Sequence, residues 1–164
     1  MTSFLRYVQR GTRFKQFADF CALHRYQLHL PQPLPTRVLL HGAPRQCATL
    51  TPRNSIGTDG QPERTAHIYA TDDHNYAIFL ALLRLKEGGT AAATVQRGKR
   101  ALSVSLGFVN GQSRFVSGYV HLLPATPFRQ VALGEYTADT PIKTLCAVPI
   151  VPQDLTVPVT LTMQ

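Results

Sequence analysis

The sequence predicts an α+β domain with a largely antiparallel sheet, an N-terminal helix and a second, buried helix. Helical patterns fall in the first half of the 164-residue chain, whereas the second half carries short runs that alternate apolar and polar residues. Asn110-Gly111 stands between two such runs, 102–106 and 115–120, and this dipeptide is typical of a tight hairpin turn. A chain of this length is expected to fold as a single domain.

The buried helix is predicted over residues 72–86. Asp72 or Thr71 suits its N-cap, basic residues occupy its last turn, and a glycine pair follows where helices commonly end. Apolar side chains lie on several faces of this segment, so we expect it to be largely enclosed. Another helix is predicted over 12–24, where aromatic residues recur at helical spacing, within an N-terminal helical segment at 2–30.

Short strands are predicted where apolar runs or alternations are bounded by turn residues. The run 38–40 is continuously apolar and suits a strand buried on both faces. The remaining predicted strands are 68–70, 94–95, 102–106, 115–120, 128–133 and 142–151. Residues 43–65 are rich in Pro, Gly, Asn, Arg and Gln and are expected to form a long surface segment. The core of the domain is therefore expected at 37–151.

The chain is basic, with a formal net charge of +8 and a pI of about 9.9. Such a balance favours an anionic partner, such as nucleic acid, a nucleotide or an acidic protein. Basic residues are concentrated in the first 25 positions and again at Arg97, Lys99 and Arg100. The alternative reading of both clusters is a solvated face that only aids solubility.

Cellular compartment and metal use are also predicted from composition. No apolar run reaches the roughly 20 residues of a membrane-spanning helix, and the N-terminus lacks the apolar core of a secretory signal. We therefore expect a cytoplasmic protein with no membrane partner. The three cysteines, Cys21, Cys47 and Cys146, are widely spaced and form no paired ligand motif. Reduced thiols and no metal site are expected.

Three short motifs carry chemically useful residues in a fixed order. Leu-Leu-His-Gly-Ala ends a predicted strand at His41-Gly42, Ile-Tyr-Ala-Thr-Asp places Tyr69 just before the buried helix, and Gly-Glu-Tyr places Glu135 late in the chain. This order and spacing resemble the ADP-ribosyltransferase superfamily, in the His-Tyr-Glu branch that includes poly-ADP-ribose polymerases and diphtheria-type toxins. The resemblance covers residues 37–150. It implies a split, largely antiparallel sheet, with NAD as substrate and no metal.

The resemblance also implies a role for each motif residue. His41 would hydrogen-bond the adenosine ribose, and the Gly42 main chain would pair with the nicotinamide amide. Tyr69 would stack on the nicotinamide ring. Glu135 would be the catalytic residue, hydrogen-bonding the nicotinamide ribose and stabilising the positive charge that develops as the glycosidic bond breaks.

Further candidates and two departures accompany these residues. Phe79 is a candidate for a second stacking ring, because Leu80 stands where many relatives carry a second Tyr. Arg45 and Arg53 are candidates for contacts with the pyrophosphate. Ala43 stands where the family usually has Ser or Thr, and so removes a hydroxyl near the ribose.

Three functions are consistent with these observations. The first is a mono-ADP-ribosyltransferase that modifies a macromolecular acceptor, nucleic acid or an acidic protein, and releases nicotinamide. The second is a noncatalytic module on the same scaffold that binds nucleic acid or a protein partner. The third is another activity on that scaffold, such as an RNA 2′-phosphotransferase-like reaction.

Overall fold

The computed structural model describes residues 37–54, 65–85, 89–96, 99–105, 108, 110, 113–155 and 157–163. Over this part of the chain the architecture is α+β, with an α-helix, thirteen strands in mostly antiparallel sheets and a 3-10 turn at Pro152–Asp154. The predicted fold class is confirmed at this level. The helix predicted at 12–24 lies outside the described residues.

Six strands form the main sheet: β1 (Val38–Ala43), β3 (Ile68–Thr71), β8 (Gly118–Pro124), β9 (Arg129–Ala132), β10 (Glu135–Ala138) and β12 (Cys146–Ile150). Their spatial order is β12-β8-β1-β3-β10-β9, and every neighbouring pair is antiparallel. The strands predicted at 38–40, 68–70 and 128–133 therefore all belong to this sheet.

The other strands form three smaller sheets. Their bounds are β2 (Thr49–Leu50), β4 (Leu83–Arg84), β5 (Ala91–Gln96), β6 (Lys99–Ser105), β7 (Arg114–Phe115), β11 (Ile142–Lys143) and β13 (Val159–Thr162). β2 pairs with β11, β4 pairs with β7, and β6 lies between an antiparallel β5 and a parallel β13.

Helix α1 (His74–Leu82) is shorter than the predicted 72–86. Asp73 is its N-cap, and the Asp73 side chain accepts a hydrogen bond from the Tyr76 N–H at 3.2 Å. The predicted last turn is wrong, because residues 83–84 leave the helix to pair with β7. The Arg84 guanidinium then donates to the Ala81 carbonyl at 2.9 Å, which satisfies one acceptor at the helix end.

Apolar side chains fill the space on both faces of the main sheet. α1 covers one face, where its buried residues pack on those of β1, β8 and β12. On the opposite face, Leu39, Leu123 and Tyr136 join residues of β2 and β11 in a second cluster. A third cluster, around Phe79 and Leu102, joins α1 to β6. This packing covers β1 on both faces, and it covers β3 and β10 on the face opposite α1.

The two strands predicted on either side of Asn110-Gly111 do not pair with each other, so the predicted hairpin is wrong, although Gly111 itself lies outside the described residues. The strand predicted at 102–106 overlaps β6, whose two edges are taken by β5 and β13. The apolar residues of β6 face Phe79 of α1, so long-range packing prevails over the local turn signal.

Among the described residues no helix is long and apolar enough to cross a membrane.

Candidate functional site

The three motif strands are neighbours in the main sheet. β1 carries His41 and Gly42, β3 carries Tyr69, and β10 begins with Glu135. β3 lies between β1 and β10 and is antiparallel to both. Segments that are far apart in the chain therefore meet in one part of the sheet.

The pleat divides the motif side chains between two faces. Leu40, Thr71 and Glu135 stand opposite one another across the three strands, so their side chains share the face that α1 covers. Tyr69 is two residues from Thr71 and projects on that same face. His41 alternates with Leu40 and leaves β1 on the other face. The structure thus brings Tyr69 and Glu135 to one face and places the His41 side chain on the other.

β1 and β3 pair at one position only, and we call the stretch beyond it, between Gly42 and the strand of Tyr69, the split. β1 is in register with β8 along its whole length but with β3 at a single pair, Leu40 and Thr71. Just before β1, the Ala125 N–H donates to the Arg37 carbonyl at 3.3 Å, so odd-numbered residues of β1 bond to β8. The N–H and C=O of Gly42 consequently point toward β3, and they give the split a polar main-chain edge.

His41 borders the split through its imidazole. Its Nδ1 lies 2.7 Å from the Tyr69 carbonyl oxygen, and because a carbonyl can only accept, we place the proton on Nδ1. Burial lowers the pKa of His41 from 6.5 and outweighs the opposing effect of this hydrogen bond. A neutral imidazole with an accepting Nε2 follows, and that nitrogen suits a hydroxyl donor.

His121 lies behind His41 on the same face, with the two ring centroids 6.0 Å apart. Its side chain is fully buried. Nε2 accepts from the Cys47 N–H at 2.9 Å, and Nδ1 lies 3.3 Å from the His41 carbonyl oxygen, to which it donates. Burial, and next the electrostatic repulsion that a protonated His41 would exert, lower the pKa of His121 to about 4. His121 is thus a neutral structural link between β1, β8 and the chain that follows β1.

Glu135 forms an ion pair with Arg100, a residue for which no sequence motif predicts this role. Arg100 Nη1 lies 3.3 Å from Glu135 Oε1, and Arg100 Nε lies 3.1 Å from Asp73 Oδ2. The Arg100 side chain is 6% exposed, whereas that of Glu135 is 36% exposed. Nη2 also donates to the Leu133 carbonyl at 3.3 Å. One buried cation therefore ties β6 to the N-terminus of α1 and to the start of β10.

The aromatic ring beside Glu135 comes from Tyr76 rather than Phe79. The Arg100 guanidinium lies 4.2 Å from the centre of the Tyr76 ring. Burial raises the pKa of the Tyr76 phenol, and the charge of Glu135 adds to the rise. Phe79 is 1% exposed and packs on Phe115, with ring centroids 5.7 Å apart. Phe79 is therefore a core ring, and its proposed stacking on a ligand stays a prediction.

The turn before Glu135 is closely fitted. Gly134 has φ of +71°, and a Cβ there would lie 3.1 Å from Arg100 Nη2 and 3.2 Å from Asp72 Oδ1. The Thr71 hydroxyl donates to the Gly134 carbonyl at 2.6 Å. Asp72 in turn accepts from the Tyr136 hydroxyl at 3.0 Å. These contacts define where the Glu135 side chain begins.

The remaining predicted residues have different surroundings. A Cβ on Gly42 would lie 2.1 Å from the Ala77 carbonyl oxygen, so α1 itself requires glycine at this position. Ala43 is buried. Arg45 and Arg53 are exposed on the segment after β1, and their contact with a pyrophosphate stays a prediction.

Comparison with known proteins adds no relative. No protein-family model, curated protein or solved structure matches this chain. Among the described residues, no group of three or more His, Cys, Asp or Glu side chains has the arrangement of a metal site. Interpretation of the site therefore rests on its own geometry.

Local sequence signals were available for only some of these residues. Gly134 precedes a motif residue, and Arg100 lies in a basic cluster that the sequence indicates. No local pattern shows that Arg100 is buried, or that His121 rather than a neighbouring residue stands opposite His41. Both facts depend on pairing between distant strands.

Proposed function

We propose that the protein is an NAD-dependent mono-ADP-ribosyltransferase that modifies a macromolecular acceptor and releases nicotinamide. The observation that carries this proposal is the split, where the main-chain edge of Gly42 and the accepting Nε2 of His41 adjoin the strand of Tyr69. A ligand seated between diverging strands can contact side chains from both faces of a sheet. The opposite projection of His41 and Glu135 is therefore compatible with one dinucleotide site.

Each group has a defined part in the proposed reaction. Gly42 offers a donor and an acceptor to the nicotinamide carboxamide, whose carbonyl accepts and whose NH2 group donates. His41 Nε2 accepts from a ribose hydroxyl, and the Tyr69 ring supplies an apolar wall. The bond from the ribose anomeric carbon to nicotinamide then breaks, and its electron pair neutralises the pyridinium nitrogen. The acceptor attacks the anomeric carbon and loses its proton.

Glu135 stabilises the cationic ribose in this scheme. A carboxylate fixed near the anomeric carbon favours the oxocarbenium-like transition state more than the ground state. Arg100 determines where the carboxylate points through its contact with Oε1. Tyr76, half-buried beside Arg100, keeps that end of the site partly apolar.

The experiment uses labelled NAD with the purified protein and a cell lysate. The comparison is wild type against Glu135→Gln, which keeps the size of the side chain, and Asp154→Asn, which removes a carboxylate from the 3-10 turn. We expect transfer and nicotinamide release by wild type and Asp154→Asn, and a loss of at least about 100-fold in Glu135→Gln. Equal activity in all three proteins, or activity in none, would refute the proposal.

One observation favours a second candidate, a noncatalytic module that binds nucleic acid or an acidic protein. Glu135 is paired with Arg100, so its charge already has a partner within the fold. A net charge of +8 supplies attraction for a polyanion. If this candidate is correct, we expect the affinity for nucleic acid to fall steeply as the salt concentration rises, and we expect no binding of NAD.

A cytoplasmic location suits both candidates, because cytosol supplies NAD and nucleic acid.

A further inference from the structure

A hydroxyl, an imidazole and a carboxylate form a hydrogen-bonded row at the far end of β3 and β10. The Thr65 hydroxyl lies 2.8 Å from His67 Nε2, and His67 Nδ1 lies 2.5 Å from Asp139 Oδ1. We propose that this row, the Thr65–His67–Asp139 relay, activates Thr65 as a nucleophile toward acyl donors such as esters. The proposal goes beyond the ADP-ribosyl transfer proposed above and does not depend on NAD.

The protonation pattern follows from the partners. The carboxylate accepts from Nδ1–H, which leaves Nε2 as the acceptor for the Thr65 hydroxyl. A nucleophile bonded to a base, and a base oriented by a third group, is the arrangement that nucleophilic catalysis requires. Both distances fall within or below the usual range for such contacts.

The imidazole is held in place from several sides. His67 exchanges two main-chain hydrogen bonds with Arg53, at 3.1 and 3.2 Å. Its ring meets that of Tyr69 edge-on, with centroids 6.1 Å apart. Asp139 Oδ2 lies 3.5 Å from Arg129 Nη2, which leaves Oδ1 for the imidazole. The base therefore keeps one orientation.

Exposure varies along the relay. Thr65 and Asp139, at its two ends, are exposed, whereas the His67 side chain between them is 17% exposed. An incoming ester can reach the hydroxyl while the base stays shielded. The pairing of Ala138 with Ile68 places Asp139 opposite His67, so the relay is built into the register of β10 and β3.

The chemical step is an ordinary acyl transfer. Thr65 Oγ1 attacks the carbonyl carbon of the ester, and the hydroxyl proton moves to His67 Nε2. The bond to the leaving oxygen breaks with its electron pair, and His67 returns the proton to that oxygen. Water then attacks the acyl-threonine in the same way and restores the hydroxyl. General-base assistance contributes about 100-fold to 10,000-fold in rate.

The test uses p-nitrophenyl acetate without NAD, with release of p-nitrophenol and peptide mass mapping as readouts. Thr65→Ser retains the hydroxyl, Thr65→Val removes it, and Asp139→Asn reverses the imidazole tautomer. We expect acetyl groups on residue 65 in wild type and Thr65→Ser, with initial rates at least tenfold lower in Thr65→Val and Asp139→Asn. Thermal unfolding verifies that each variant is folded.

Two results would overturn the proposal. One is acetylation confined to lysine or cysteine with none at Thr65. The other is acetylation of Thr65 at an equal rate in Asp139→Asn, which would make the hydroxyl an ordinary one. Because NAD is absent from the assay, neither result bears on ADP-ribosyl transfer.

Discussion

At the level of single residues, His41 of β1 and His121 of β8 stand opposite each other, but their ring nitrogens differ in their hydrogen-bond partners. His41 has one ring nitrogen committed to the Tyr69 carbonyl and the other available as an acceptor. His121 has both ring nitrogens committed, to Cys47 and to the His41 carbonyl. His41 was predicted as a candidate binding residue from the His-Gly motif in the sequence. Nothing local to His121 indicates that it is fully buried, because its partners come from β1 and the segment after it.

The lowered pKa of His121 makes the free energy of unfolding depend on pH. Its pKa falls from 6.5 to about 4 on folding, so the unfolded chain binds the proton more tightly. Stability is complete above pH 6.5 and declines as pH falls toward 4, by about 3 kcal/mol for this group. Urea unfolding between pH 7.5 and pH 4.5, read by circular dichroism, measures the decline. His121→Gln is expected to be less pH-dependent than wild type, and an unchanged slope would contradict the assignment.

Substitution of Arg100 is expected to lower the free energy of unfolding, because its two acidic partners lose their cation. Arg100→Gln leaves Asp73 and Glu135 without their cation, and we expect a cost of about 2 kcal/mol, less than for a fully enclosed pair because both acids are partly exposed. Arg114→Gln, at an exposed position of β7, serves as the control and should cost under about 0.5 kcal/mol. Chemical denaturation gives both values. A double-mutant cycle with Glu135→Gln should show coupling, and strict additivity would count against the contact.

At the scale of elements, α1 packs unusually close to the main sheet. A Cβ on Gly42 would lie 2.1 Å from the Ala77 carbonyl oxygen, and one on Gly118 would lie 1.9 Å from the Ala81 carbonyl oxygen. Gly42 pairs with Val120, two residues along β8 from Gly118, so both glycines share the face that α1 covers and the helix lies directly over the motif strand. The His-Gly motif therefore has a packing role as well as its proposed ligand role.

This close approach predicts the effect of added methyl groups. Gly42→Ala and Gly118→Ala each force the helix away from the sheet, at a cost of about 2–3 kcal/mol. The measurement is the midpoint of thermal unfolding for each variant. Gly118→Ala does not alter the main chain that borders the split, so it separates the packing cost from any change in NAD binding. A wild-type midpoint in either variant would contradict the packing described.

Elements also show where sequence patterns succeed and where they stop. The apolar run of β1 and the capped start of α1 are local features, and both were predicted within a few residues. The end of α1 was not, because residues 83–84 leave the helix to pair with β7. Asn110-Gly111 favoured a hairpin, but the partners of β6 are β5 and β13. Strand partners depend on contacts between distant segments, which no local pattern encodes.

At the scale of the whole molecule, three motifs spaced along the chain are carried by adjacent strands. The α+β class was predicted from the sequence and is confirmed. His41, Tyr69 and Glu135 stay candidates, and the sequence does not indicate how the sheet distributes them between its faces. That distribution depends on the Leu40–Thr71 and Glu135–Thr71 pairs, and each follows from register rather than from composition. The pairing of Glu135 with Arg100 likewise arises only when β6 reaches the start of β10.

The function proposed for this protein requires a dinucleotide to bind at the split between β1 and β3. The most direct test is a titration of the isotopically labelled protein with NAD, followed by amide and imidazole NMR signals. We predict saturable shifts of the Gly42 amide and the His41 ring, with Val159 of β13 unchanged. An unmoved Gly42 amide and His41 ring at millimolar NAD would contradict the claim.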